Sequence, residues 1–176
     1  MIRNVLATLD GSPHSEAILP VLAELLAGTD AQVTLFAVAE TPAATPGKPV
    51  EAQPRASGVF TSTTVLPSYS ETKNQAIERV QGELSDYLAR SAETLRAAGL
   101  AVDVAVALGE NPAEQIVARA RDAGVHFIAM STHGHTGLRG LLFGSVAARV
   151  LGSGVCPVLL VRPGPLGKHA EEKKAT

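Results

Sequence analysis

The sequence predicts an α/β protein, a doubly wound parallel sheet of five strands with helices on both faces. Three observations predict it. Short apolar runs alternate with amphipathic stretches in the order β-α-β, insertion, α-β-α-β-α-β, and such alternation implies a parallel sheet covered on two sides. The runs FIAM (127–130) and PVLLV (157–161) are apolar at every position, as strands buried on both faces must be. With 176 residues, 45% of them hydrophobic, the chain has enough apolar surface for one domain with a true core.

The elements follow in order. IRNVLATL (2–9) reads as the first strand and stops at DGSP. Ser12 is placed as an N-cap with Pro13 at the first helical position. Ile18, Val21, Leu22, Leu25 and Leu26 then mark a helical face that Gly28 ends, with Pro20 early enough to limit its damage. AQVTLFAV (31–38) is the second strand. Five of the eleven prolines fall between Thr41 and Pro67, so 41–67 reads as a flexible insertion, with a lid as the alternative. Ser68 and Glu71 offer a capping box for a long helix. Its face is Ile77, Val80, Leu84, Leu88, Ala92 and Leu95, and Gly99 closes it. LAVDVAVAL (100–108) is the third strand. Asn111 and Pro112 open the next helix, with Ile116, Val117 and Ala120 on one side. VHFIAMS (125–131) is the fourth strand, a short helix runs from Ser145 to about Leu151, and CPVLLVRP (156–163) holds the fifth. The domain thus spans 1–163, and the polar tail 164–176 is expected to be disordered.

Composition excludes several classes. Fifteen basic and seventeen acidic residues give a net charge of −2, which provides no footprint for nucleic acid. Four phenylalanines, two tyrosines and no tryptophan make no platform for stacking bases. Cys156 is alone and reads as a small buried apolar residue beside a strand. The chain reaches Asp10 without a long apolar run, and no stretch approaches the roughly 20 apolar residues of a membrane span. The expectation is a cytoplasmic protein without a membrane or nucleic-acid partner.

A doubly wound sheet takes ligands beyond the carboxyl ends of its strands, which points to Asp10 and Ser131. After Ser131 comes THGHTGLRGLLFGSV (132–146). It lacks the lysine of a P-loop and the first spacing of a dinucleotide fingerprint. Gly134 would still let backbone approach a ligand. After nine intervening residues, Gly144 and Ser145 open a helix whose free N–H groups attract an anion. Leu141, Leu142 and Phe143 are expected to pin the return leg to the core. Two anchor points joined by a pinned loop describe a clamp for a polyphosphate.

This segment resembles the nucleotide loop of the universal stress protein family, G-x-x-G-x9-G-[ST]. Gly134 stands at the second glycine, His135 to Phe143 fill the spacer, and Gly144 and Ser145 complete it, while Ser131 replaces the first glycine. NVLATLDGSPHSEAIL, GENPAEQIV and GSVAARVL with CPVLLVRP resemble the family's opening, third-helix start and ending. The resemblance implies an adenine nucleotide alpha hydrolase-like fold with strand order 3-2-1-4-5 and an ATP site. Thr8, Leu9 and Asp10 would line the adenosine end, and Val38 would meet the adenine. Met130, Ser131, Thr132, His133, Gly134, His135, Thr136 and Gly137 would wrap the ribose and phosphates. Ser145, Val146 and Ala147 would cap the phosphates, and magnesium, where present, would ride on them. The resemblance also implies a homodimer through the fifth strand (157–161), which agrees with an apolar strand placed at a sheet edge.

Plainer readings stand beside these. Asp10 suits a helix start by its charge alone, and Ser145 suits a simple N-cap. His133 and His135 lack companions at a metal-ligand spacing, so no dedicated metal site is expected. Three functions follow from the sequence: an ATP-binding stress-response module, a slow ATPase or autophosphorylating protein, and a nucleotide-free interaction scaffold on the same fold.

Overall fold

Short apolar runs build the sheet and period-3.6 patterning builds its covers. In chain order the elements are β1 (Asn4–Thr8), α1 (Ile18–Leu25), β2 (Gln32–Ala39), α2 (Lys73–Ala97), β3 (Ala101–Leu108), α3 (Pro112–Asp122), β4 (Phe127–Ser131), α4 (Ser145–Ser153) and β5 (Val158–Val161). A 3₁₀ turn, Ser15–Ala17, leads into α1. The structure is a computed structural model and describes residues 2–41, 72–132 and 143–163. The expected insertion, apart from Thr41, and the tail 164–176 lie outside the described residues.

All four strand pairings are parallel, in the order β3-β2-β1-β4-β5. Alternate residues of each strand feed two separate cores. Val5, Ala7, Val33, Leu35 and Ala129 pack beneath α1 and α2, against Ile18, Leu22, Leu88 and Leu95. Leu6, Phe36, Ile128 and Met130 pack on the other face, against Ile116 and Ala120 of α3 and Ala147 and Val150 of α4. Full burial of each large aliphatic is worth about 1.5–3 kcal/mol, so neither face can be stripped without losing the sheet.

The structure redraws the expected local details in three places. α1 begins at Ile18, not after Ser12, because Asp10, Ser12 and Ser15 knot the preceding turn. Pro20 therefore falls in the first turn, where its missing N–H costs no helical bond. The buried face of α1 is Ile18, Leu19, Leu22 and Leu26, while Val21 and Leu25 face outward. α2 is capped by Thr72 and Gln75: Gln75 N–H donates to Thr72 Oγ1 at 3.3 Å, and Thr72 N–H donates to Gln75 Oε1 at 2.9 Å. The expected box residues Ser68 and Glu71 lie outside the described residues. β5 is shorter than read, and half-buried Cys156 packs beside it against the α3/α4 core.

Candidate functional site

β1 has β2 on one side and β4 on the other, so strand order reverses at its carboxyl end. A cleft of about 400 Å³ opens there, within the roughly 300–1,000 Å³ common for small-molecule sites. Thr8, Leu9 and Asp10 form its floor, where β1 runs out. Phe36, Val38 and Glu40 supply one wall, and Pro112 and Ile116 of α3 face it. Met130, Ser131 and Thr132 come from the end of β4, and Gly144, Ser145, Val146 and Ala147 from the start of α4.

Asp10 sits in a hydrogen-bonded turn. Ser12 donates to its Oδ1 through both N–H, at 3.0 Å, and Oγ, at 2.6 Å. Ser12 Oγ in turn accepts from Ser15 N–H at 3.1 Å, while Asp10 N–H donates to Ser15 Oγ at 3.2 Å. Gly11 sits at φ +80°, a conformation side chains resist. Ser12 and Ser15 are buried, so the turn is held from below while the Asp10 carboxylate lines the cleft. Asp10 therefore belongs to a turn rather than to the helix start its charge suggested, and it lines the cleft as well.

The opposite end of the cleft is the amino end of α4. Gly144 occupies the N-cap position and no side chain caps it. Ser145 is the first helical residue, so it is not the plain N-cap that its type suggested. The opening N–H groups of a helix lack intrahelical partners and carry the positive end of its dipole. Gly144 N–H donates to the Thr132 carbonyl at 2.7 Å, and Thr132 N–H donates to the Val161 carbonyl at 2.9 Å. These bonds fix the helix start to the end of β4. They also explain the glycine. Its φ of −62° suits any residue, but a Cβ would lie 3.2 Å from the Thr132 oxygen.

Thr8, Leu9, Asp10, Val38, Met130, Ser131, Thr132, Ser145, Val146 and Ala147, all expected from the sequence, converge with Gly144 on this one cleft. His133, Gly134, His135, Thr136 and Gly137 lie outside the described residues, as do Leu141 and Leu142. Phe143 is 37% exposed rather than pinned in the core. Sequence reading missed Ser15, Phe36, Glu40, Pro112 and Ile116. For two of them a signal existed: Phe36 and Glu40 stand two residues either side of Val38, and period two puts all three on one face. Pro112 and Ile116 arrive only through tertiary packing.

The universal stress protein family model matches residues 1–162. Among curated relatives, universal stress protein YxiE of Bacillus subtilis is 26% identical over 164 residues, covering 92% of this chain and all of that one. The solved structure of MJ0577 superposes with a TM-score of 0.70 at 23% identity, covering 93% and 98% of the two chains. A universal stress protein solved in complex with cAMP gives 0.56 at 16% identity, covering 93% and 98%. A family protein of Arabidopsis thaliana with AMP bound gives 0.55 at 14%, covering 92% of each chain. At these identities the structural likenesses carry the fold.

Proposed function

The chain belongs to the universal stress protein family, and from that premise we propose that it is an ATP-binding module whose nucleotide occupancy signals stress to other proteins in the cytoplasm. The observation that carries this reading is the division of one cleft into two chemically opposite ends. The uncapped start of α4 suits phosphate. Across the cleft, Asp10 accepts hydrogen bonds, and Val38, Phe36, Pro112 and Ile116 offer apolar surface to a flat base. An adenine nucleotide has the same polarity, anionic at one end and flat at the other. Gly144 belongs to the same arrangement, because a Cβ there would crowd the Thr132 carbonyl that holds the helix start at the cleft.

Adenine nucleotides held by two neighbours of the same fold support the class of ligand. The triphosphate, its magnesium and the cytoplasmic role are our reading. ATP would set its phosphates on the N–H groups of Ser145, Val146 and Ala147, with loop residues Gly134 and His135 completing the grip. Magnesium bound to the phosphates would offset their charge. We also propose a homodimer, formed where β5 presents its open edge.

Isothermal titration with ATP, AMP and cAMP, with and without magnesium, tests the binding. Saturable binding of ATP is expected, and Ser145→Ala together with Asp10→Asn should weaken it by at least about tenfold. Absence of any heat at about 1 mM nucleotide, with no 260 nm excess in freshly purified protein, would leave an interaction scaffold as the surviving function.

A further inference from the structure

We propose that Glu40 determines which ribose the cleft accepts. Its carboxylate takes a hydrogen bond from a free ribose hydroxyl and turns away nucleotides that carry a second phosphate on the sugar. The inference rests on the nucleotide-binding reading above and names the ligand class more narrowly: adenine nucleotides that keep a free ribose hydroxyl and carry no second phosphate on the sugar.

Three observations lead there. First, Phe36 and Val38 of β2 and Glu40 just past its end follow at two-residue spacing and all line the cleft, so this wall is apolar in depth and acidic at its mouth. Glu40 lies one residue beyond Ala39, the last of the strand, and is exposed. A carboxylate there stays hydrated until a ligand arrives.

Second, the distances suit a nucleotide. The β1–β2 register ends at Thr8–Phe36, and Leu9 N–H still donates to the Phe36 carbonyl at 2.9 Å, so Asp10 leaves β1 just beyond Phe36, and Glu40 stands past Val38 by two residues, about 6.6 Å of extended chain. α4 starts at the end of β4, held there by the Gly144–Thr132 bond. β4 and β2 are separated by two strand spacings, roughly 10 Å. A phosphate seated on α4 would therefore leave its sugar between Asp10 and Glu40. In doubly wound nucleotide folds an acid near the end of the neighbouring strand accepts from a ribose hydroxyl, whereas a phosphate at that spot calls for arginine.

Third, the charges are one-sided. Asp10 and Glu40 are both carboxylates, and no lysine or arginine appears among the described lining residues. A ribose phosphate would meet two like charges there. Solvent screening at the mouth moderates the repulsion without cancelling it.

The test compares AMP with adenosine 2′,5′-bisphosphate and adenosine 3′,5′-bisphosphate on the full chain by titration calorimetry. The wild type should prefer AMP over both by at least about tenfold, less so at high salt. Glu40→Gln keeps the shape and an acceptor oxygen but removes the charge, and should narrow that preference. Glu40→Arg should invert it. The inference is overturned if Glu40→Gln leaves the AMP-to-bisphosphate ratio unchanged, or if the wild type takes the bisphosphates as readily as AMP. A wild type that binds neither ATP nor AMP overturns the underlying reading and this one with it, whereas an unchanged ratio removes this one alone.

Discussion

Single residues decide the behaviour of this fold where polar atoms meet the core. Tyr87 of α2 packs against the α1/α2 core. Its hydroxyl lies beside Ser15, Glu16 and Ser91, yet it is buried without a hydrogen-bond partner among the described residues. Burial, the largest cause, and the nearby Glu16 charge push the phenol above its ordinary 10.0. The native state therefore holds this proton more tightly than the unfolded chain does. That contribution is fully present below about pH 10 and is lost as the pH climbs through the folded-state value, by at most about 1.4 kcal/mol per pH unit. Tyr87→Phe should be within about 0.5 kcal/mol of wild type at pH 7.5, since no made bond is lost. It should flatten the decline in stability above pH 10. Urea titrations of both proteins at pH 7.5 and pH 10.5 check this; an equal alkaline loss in the variant would assign the effect to other groups.

At the level of elements, helix α1 is the sharpest test of how the sequence becomes structure. Leu22 is 0% exposed and Leu25 is 52% exposed, although both fit an apolar helical stripe by spacing. Leu22→Ala should cost about 2–5 kcal/mol, since the cavity sits under the sheet. Leu25→Ala should stay within about 0.5 kcal/mol. Guanidinium unfolding midpoints separate the two, and comparable losses would mean that the helix is rotated from its described position. Spacing made the existence of α1 legible, but five apolar residues span too wide an arc to name the buried side. Its start was misread for a related reason. Ser12 does accept from an N–H three residues on, as a cap would, but Asp10 recruits the same serine into a turn, and α-helical bonding waits until Ile18. Asn111 shows the converse. It occupies the expected cap position, yet its Nδ2 donates to Glu114 Oε1 at 2.6 Å, and its side chain makes no cap bond. The strands were read more easily, because short continuous apolar runs bounded by turn residues and alternating with amphipathic helices leave little room for another assignment.

At the scale of the whole molecule, the strand order was legible through the family resemblance, while the doubly wound pattern alone pointed to the carboxyl ends of β1 and β4 as the place of the cleft. The members contributed by α3 were not legible, since their approach depends on how that helix packs over β2. Among the described residues the same topology leaves β5 with one partner strand. Ile128 N–H donates to the Pro157 carbonyl at 3.0 Å and Thr132 N–H to the Val161 carbonyl at 2.9 Å. Pro157 and Val161 therefore face β4, and alternation along the strand turns the backbone groups of Val158 and Leu160 to the open edge. Apolar side chains on both faces and unmet backbone groups make such an edge a template for another strand. In the proposed dimer a twofold axis would pair β5 with β5 of a second copy. Proline removes one N–H, and its effect depends on which way that N–H points. Leu160→Pro should give a folded monomer, because the bond it removes is the one offered outward. Leu159→Pro should weaken the sheet itself, because its N–H faces β4. Sedimentation equilibrium with circular dichroism on wild type and both variants decides the matter. A monomeric wild type at the highest soluble concentration, or a Leu160→Pro protein still dimeric, would place the association elsewhere. Since Val161 also holds Thr132, whose carbonyl holds the start of α4, loss of edge pairing should be felt in nucleotide affinity as well. A Leu160→Pro monomer that binds ATP as tightly as the dimer would show that the edge and the cleft are independent.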